Sequence, residues 1–347
     1  MTTHEKYILR CIELAKNGLG TTYPNPLVGS VIVHNDIIIG EGWHYKAGLP
    51  HAEVNAIASV KDASLLKDAT IYINLEPCSH YGKTPPCCDL IITKDIKKVV
   101  IGTVDSFAKV SGAGIQKLMN AGCDVTVGVL EKECLDLNKR FFAFHNKKRP
   151  YIILKWAETE DQFIAPQITN KRSPIWISNN YSRQLTHKWR AEEQAILVGN
   201  NTVLKDNPKL TIRDWHGHNP TRVVIDLSGK TPEDSAILAP EATTIIITSK
   251  DSKKENNHHL IYETISLKDN IAHEVCNILY KHNIQSVIIE GGQYTLQSFI
   301  NKNLWDEARV FKGCITFEKG TKSPLLNGNL VSKNQITKDT LTIYQND

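Results

Sequence analysis

No apolar run in this chain approaches the roughly 20 consecutive residues that a membrane-spanning helix requires, so no membrane partner is expected. The amino terminus, MTTHEKYILRCIELAKNGLG, interrupts Ile8, Leu9, Ile12 and Leu14 with charges and contains no signal-peptide core, which leads us to expect a cytoplasmic protein. Lysine and arginine form no extended block. The net charge of +4 is spread along the chain, which argues against a nucleic-acid-binding arm. GxGxxG is absent, which removes the Rossmann fingerprint. Cys-x-x-Cys is absent too, and with it the spacing common to deaminases that act on nucleic acids. No internal repeat is visible.

What is present is an ordinary globular composition, 41% hydrophobic and 22% charged, over 347 residues. That length exceeds one typical core and predicts two domains. Residues 28–34 and 36–44 read as a strand pair, 51–60 as a helix after Pro50, and 69–77 as a strand. Residues 87–95 suit a helix after two prolines, and 97–105 another strand. The basic, proline-containing stretch 146–150 reads as a linker, giving domains 1–146 and 147–347. A second α/β series follows, with strands predicted at 151–157, 195–203, 221–229, 242–250, 286–292 and 306–314. Helices are predicted at 182–193 and 269–283, and a polar surface loop at 249–259.

Eight cysteines in a cytosolic chain of this size do not suggest disulfides, and most should be small core residues. The exception is LEPCSHYGKTPPCC, residues 75–88, where prolines accompany Cys78, Cys87 and Cys88. A catalytic zinc takes three protein ligands and keeps one position for water. Cys78 and one of Cys87/Cys88 supply two, and PHAE (50–53) offers His51 as the third, with Glu53 two residues on. His-x-Glu with a later Pro-Cys pair is the zinc-deaminase pattern, in which the Glu is acid and base and not a ligand. Residues two apart on a helix point about 200° apart, so His51 and Glu53 share a site only if the helix begins there. Two prolines place Cys87 in a first helical turn, and Cys88 then turns about 100° away toward the protein body. Cys87 is therefore the expected ligand. The eight residues between Cys78 and Cys87 must border the substrate: His80 can hydrogen-bond a ring, and Lys83 can meet a phosphate.

These residues carry a resemblance. PNPLVGSVIV, GEGWHYKAGLPHAE and LEPCSHYGKTPPC resemble the deaminase half of the bifunctional riboflavin-biosynthesis pyrimidine deaminase/reductases, over most of residues 1–145. The resemblance implies a three-layer α/β domain of the cytidine-deaminase-like fold, with Asn25, His44, His80 and Lys83 at the substrate. Ser30 stands where many relatives carry Cys.

The second half is less explicit from its residues alone. SVIIEGGQYTLQSFI reads as a strand, a Gly-Gly turn and a helix whose N-terminus favours an anion. VLKDNPKLTIR places Asp206 and Arg213 around Pro208. LKWAETED, WIS, WRAE, GNNTVLKDNPKLTIR and IEGG are similar to the reductase half of the same family, which has a dihydrofolate-reductase-like α/β fold and uses NADPH. The similarity implies Arg190, Leu210, Arg213 and Glu290 at the substrate. It implies Ala157, Trp176, Thr202, Asp206, Gly292, Gln293, Tyr294, Thr295, Leu296, Gln297 and Ser298 at the cofactor. Two segments depart from the family pattern. Thr159-Glu160-Asp161-Gln162 replaces Ser-x-Asp-Gly, and Pro174 stands where a polar contact is usual.

The expected protein is a two-step enzyme with one Zn²⁺ per chain and NADPH, acting on phosphorylated pyrimidines and not on nucleic acid. It would deaminate 2,5-diamino-6-ribosylamino-4(3H)-pyrimidinone 5′-phosphate, then reduce the ribosyl side chain with Asp206 or Lys155 as the acid. A homo-oligomer is compatible with the sequence. The alternative is another zinc nucleoside or nucleic-acid deaminase with an accessory nucleotide-binding domain.

Overall fold

The computed structural model describes residues 1–81, 85–105, 112–168, 172–249, 256–266 and 270–346. It divides into two compact units, Met1–Lys147 and Lys148–Asp347.

The first unit opens with α1 (Thr3–Ala15), whose N-terminus is closed by a capping box between Thr2 and Glu5. Strands β1 (Gly29–His34) and β2 (Ile37–Trp43) form a hairpin, and α2 (Ala52–Ala58) follows. Then come β3 (Thr70–Leu75), α3 (Cys87–Thr93), β4 (Lys98–Thr103), α4 (Ala113–Asn120), β5 (Asp124–Val127), α5 (Glu131–Leu137) and α6 (Lys139–Lys147). The sheet order is β2-β1-β3-β4-β5; β1 runs antiparallel to both neighbours, and β3, β4 and β5 are parallel.

Period-two alternation sends β1 to both faces. Ile32, with Ile71, Ile73 and Ile101, packs among residues of α2, α3 and α4. Val31 and Val33, with Tyr72 and Val100, pack among residues of α1 and α5. Each fully buried Ile or Val contributes about 1.5–3 kcal/mol, and the result is the expected three-layer α/β/α unit. Helix α2 lies directly on β2, since a Cβ on Gly42 would fall 2.6 Å from the Ala56 nitrogen. That close approach fixes the height of the α2 N-terminus above the sheet.

The second unit contains β6 (Tyr151–Glu158), β7 (Phe163–Pro166), α7 (Asn180–Glu192), β8 (Ala195–Gly199) and α8 (Asn200–Asp206). It continues with β9 (Thr221–Ile225), β10 (Thr244–Thr248), β11 (Leu260–Thr264), α9 (Ile271–Lys281), β12 (Ser286–Gly291) and α10 (Gln293–Asn301). It closes with β13 (Glu307–Lys312), β14 (Gly320–Lys322), β15 (Asn329–Ile336) and β16 (Asp339–Gln345). Nine strands form one sheet, β11-β10-β9-β8-β12-β6-β13-β16-β15, parallel from β11 to β13 and antiparallel in the last two. The larger core joins one face to α9 and α10, and a smaller one joins Ile196, Val198 and Val224 to Val203 and Leu210.

Two sequence expectations change, and a third is not tested. The strand predicted at 195–203 ends at Gly199 and continues as α8. Helix α6 runs to Lys147, so the first two residues of the expected 146–150 linker are helical. Much of the predicted polar loop, residues 250–255, lies outside the described residues.

Candidate active sites

In the first unit, His51 is the N-cap of α2, with extended backbone at φ −71° and ψ 165°. Its ring therefore leaves from the helix end, while Glu53 sits in the first turn, 3% exposed. Cys87 is the first residue of α3, behind Pro86. His51 Nδ1 lies 3.3 Å from Cys87 Sγ and 3.6 Å from Cys78 Sγ. The three donor atoms all fall within 4.8 Å of one another. A tetrahedral zinc with bonds of about 2.3 Å to sulfur and 2.0–2.1 Å to nitrogen has N···S edges of about 3.6 Å, so both N···S separations here lie close to those such an ion requires. Cys88 is buried, and its thiol donates to the Pro77 carbonyl at 3.3 Å.

The electrostatics suit a cation. The Cys87 thiol, acting against burial and with help from His51 and the Cys87 N–H, lowers the Cys78 thiol, while the same contact, together with burial, pushes the Cys87 thiol up. Burial, then the charge of Glu53, pushes the Cys88 thiol up to about 12. Burial also raises the Glu53 carboxyl, and Cys78 adds to that while His51 opposes it.

Of the expected substrate contacts, Asn25 and His44 reach this centre. His44 is 3% exposed, and its ring meets that of His51 edge-on at 5.4 Å. Its Nδ1 lies 3.1 Å from the Pro50 carbonyl, and its Nε2 lies 3.0 Å from the Asn25 amide nitrogen. A carbonyl only accepts, so the ring proton is on Nδ1 and Nε2 accepts from Asn25. Both ring nitrogens are thus engaged by the protein. His80 is exposed, and Lys83 lies outside the described residues. Sequence reasoning missed Glu76. Its buried carboxylate accepts from the backbone N–H groups of Asp105, Gly112, Gly114 and Ile115 at 2.9–3.4 Å, anchoring the segment beside the cysteines. An acidic residue at the end of an apolar strand was the available signal.

In the second unit, a cleft of about 420 Å³ opens on the side of α7 and α8. It gathers Arg190, Leu210, Arg213 and Glu290, all four expected substrate residues, with Trp176, Thr202 and Asp206 from the cofactor set. Arg190 grips Glu290 through Nε at 3.3 Å and Nη2 at 2.8 Å, and its Nη1 donates to the Thr211 carbonyl at 3.2 Å. Burial would raise the Glu290 carboxyl, but Arg190 and Lys155 prevail and hold it at about 2. Burial lowers the Lys155 ammonium, with Glu290 opposing. Leu210 adopts φ 55°, a left-handed conformation costing a side-chain-bearing residue about 1–2 kcal/mol.

Ala157 and residues 292–298 do not line this cleft. Residues 293–298 form the first turns of α10, capped by Gly292. A Cβ on Gly292 would lie 3.5 Å from Thr202 Oγ1, so that helix start adjoins the cleft wall. Gln162 takes φ 66°, the conformation glycine favours, so the turn geometry is kept without glycine. Pro174 lines the cleft.

A two-cysteine, one-histidine centre with a buried glutamate belongs to the class of zinc deaminases, here on one chain with an α/β unit whose cleft is rich in arginine. Residues 1–103 match the family described as the cytidine and deoxycytidylate deaminase zinc-binding region. Residues 150–342 match the RibD C-terminal domain. The riboflavin biosynthesis protein RibD of Aquifex aeolicus is 41% identical over 310 residues, covering 88% of this chain and 86% of that protein. Its counterpart in Escherichia coli is 34% identical over 326 residues, covering 88% and 86%. The crystal structure of a diaminohydroxyphosphoribosylaminopyrimidine deaminase/5-amino-6-(5-phosphoribosylamino)uracil reductase from Thermotoga maritima superposes with a TM-score of 0.90 at 37% identity, covering 99% of both chains. The chain belongs to the RibD family of bifunctional riboflavin-biosynthesis deaminase/reductases. Its first unit has the cytidine-deaminase-like fold with a zinc site at His51, Cys78 and Cys87; its second has the dihydrofolate-reductase-like RibD reductase fold, which implies a nucleotide cofactor. Among the described residues, no helix is long and apolar enough to cross a membrane.

Proposed function

We propose that residues 1–146 deaminate 2,5-diamino-6-ribosylamino-4(3H)-pyrimidinone 5′-phosphate, and that residues 147–347 then reduce its ribosyl group to ribityl with NADPH. The observation that carries this reading is the clustering of His51, Cys78 and Cys87 with Glu53 buried beside them. One zinc per chain would be held by His51, Cys78 and Cys87, and would supply Lewis acidity that brings a water's pKa to about 7. Glu53 takes the proton from the attacking water and returns it to the departing amine. Asn25 meets the ring, with His44 fixing its amide, while His80, between the two cysteines in sequence, hydrogen-bonds the ring and Lys83 meets the phosphate.

In the second unit a bound NADPH would supply the hydride for reduction at C1′ of the ribose, in its imine or open-chain aldehyde form. Trp176, Thr202, Asp206, Ala157 and the start of α10 hold the cofactor. Arg190, paired with Glu290, orients the substrate, and Arg213 takes its 5′-phosphate. Lys155 or Asp206 supplies the proton; both line the cleft. Purified protein incubated with the diaminopyrimidine ribotide should exchange one amine for oxygen without NADPH and gain two further hydrogens with it. Mass spectrometry reads both, and unchanged ribotide in both samples would refute the proposal.

The halves should also separate. A polypeptide of residues 147–347 retains the nine-stranded sheet and the two cores described on it, so it is expected to melt cooperatively, bind NADPH and contain no zinc. Aggregation of that fragment would show that the boundary cuts a shared core.

A further inference from the structure

The reductive cleft contains a buried histidine with no part in the chemistry above. His187 projects from α7 with its side chain 2% exposed, and it lines the cleft. Its Nδ1 accepts from the backbone N–H of Arg213 at 3.2 Å. With Nδ1 accepting, the ring proton of the neutral imidazole sits on Nε2, 3.6 Å from Asp214 Oδ2. Asp214 also accepts from Arg183 Nε at 3.3 Å, and the Arg183 guanidinium lies 4.8 Å from the Trp176 ring. Burial first, then the charges of Arg190 and Arg213, hold the imidazole neutral, with a pKa of about 4, against the opposing pull of Asp214 and Glu290.

The segment around Arg213 belongs to no helix or strand, so no ladder fixes its main chain. Side chains do so instead. Arg190 Nη1 holds the Thr211 carbonyl, Asn219 Oδ1 accepts from the Ile212 N–H at 2.8 Å, and His187 takes the Arg213 N–H. Two of these three anchors come from α7, the helix that also presents Arg190 to the cleft. The position of the Arg213 Cα relative to Arg190 is thereby set from one rigid element.

We propose that His187 is a positioning residue for the reduction. By accepting the Arg213 amide proton it aims the Arg213 guanidinium, so that a phosphomonoester on the substrate is met in a fixed geometry. This rests on the assignment of Arg213 to the 5′-phosphate.

The test is steady-state reduction of the deaminated ribotide by the full, zinc-loaded chain at saturating NADPH. It compares Arg213→Gln, His187→Leu, His187→Asn and the Arg213→Gln/His187→Leu double variant. Leu fills the space without an acceptor, while Asn offers its Oδ1 near the position of Nδ1. Loss of one neutral hydrogen bond should raise KM about fivefold in His187→Leu, with kcat nearly unchanged. His187→Asn should restore KM to near the wild-type value, and His187→Leu should add nothing to Arg213→Gln. An unchanged KM in Arg213→Gln would remove the phosphate assignment, and this inference with it. A raised KM there, accompanied by additive effects in the double variant, by a loss confined to kcat, or by an Asn variant no better than Leu, would overturn the role of His187 alone. Should His187→Leu not fold, Asp214→Ala takes its place. That residue is 41% exposed and lies 3.6 Å from Nε2 of the same ring, and a KM for Asp214→Ala equal to wild type would likewise count against the proposal.

Discussion

Glu53→Gln is expected to keep its fold and its zinc and to lose deamination by about 10²–10⁴-fold, the range for removing a general acid–base group. The substitution is nearly isosteric at a position 3% exposed, so packing in the first turn of α2 is preserved. Glu53 is not among the clustered donor atoms, so metal content should not move. What changes is proton chemistry, because an amide cannot take a proton from the attacking water or return one to the leaving amine. Reduction of separately supplied deaminated substrate should proceed at the wild-type rate, since none of the residues lining the reductive cleft is altered. Ammonia release and NADPH oxidation, measured on the same preparation, separate the two. Near-normal ammonia release would remove Glu53 from the proton transfer. Loss of both activities would point to unfolding instead.

The metal centre was legible because its chemistry is local. Pro50 before His51 and the prolines before Cys87 set two helix starts, and a helix start is what lets His51 and Glu53 face one site. The alternating α/β series was legible for a similar reason, since buried central strands such as β8 and β10 read as continuous apolar runs. The C-terminal hairpin was not read. Most of β15 is exposed, so it carries no apolar pattern, and its pairing with β16 is a tertiary fact. The error at 195–203 has a local cause. The apolar run stops at Val198, before Gly199-Asn200-Asn201, but Val203 packs from α8 against the same Ile196 and Val198 of β8, so a buried residue beyond the polar break was read as part of the strand. The backbone contacts of Glu76 and His187 could not be read from the sequence, because their partners are amides 26 to 39 residues away. His44 shows the same limit. Its position at the site was inferable, whereas the engagement of both its ring nitrogens by Pro50 and Asn25 was not.

The adjacent cysteines give the other large effect. Cys87→Ser should empty the metal site and abolish deamination, while Cys88→Ser should keep both. The structure separates them by what each sulfur faces. Cys87 Sγ is 3.3 Å from His51 Nδ1 and belongs to the donor cluster, whereas Cys88 Sγ donates to the Pro77 carbonyl inside the core. A serine at 88 can make the same donation to Pro77, so its cost is one of packing. A serine at 87 leaves His51 and Cys78 as the only strong ligands, too few for a catalytic site that needs three. Changes beyond the ligands already cost about 10–100-fold in metal affinity, so loss of a ligand should exceed that. Metal analysis after dialysis against a weak chelator reads the difference directly, and NADPH-dependent reduction serves as the control for folding of the rest of the chain. Retention of zinc by Cys87→Ser together with its loss from Cys88→Ser would reverse the assignment. It would also require α3 to begin about one residue later than it does, turning the second cysteine toward His51.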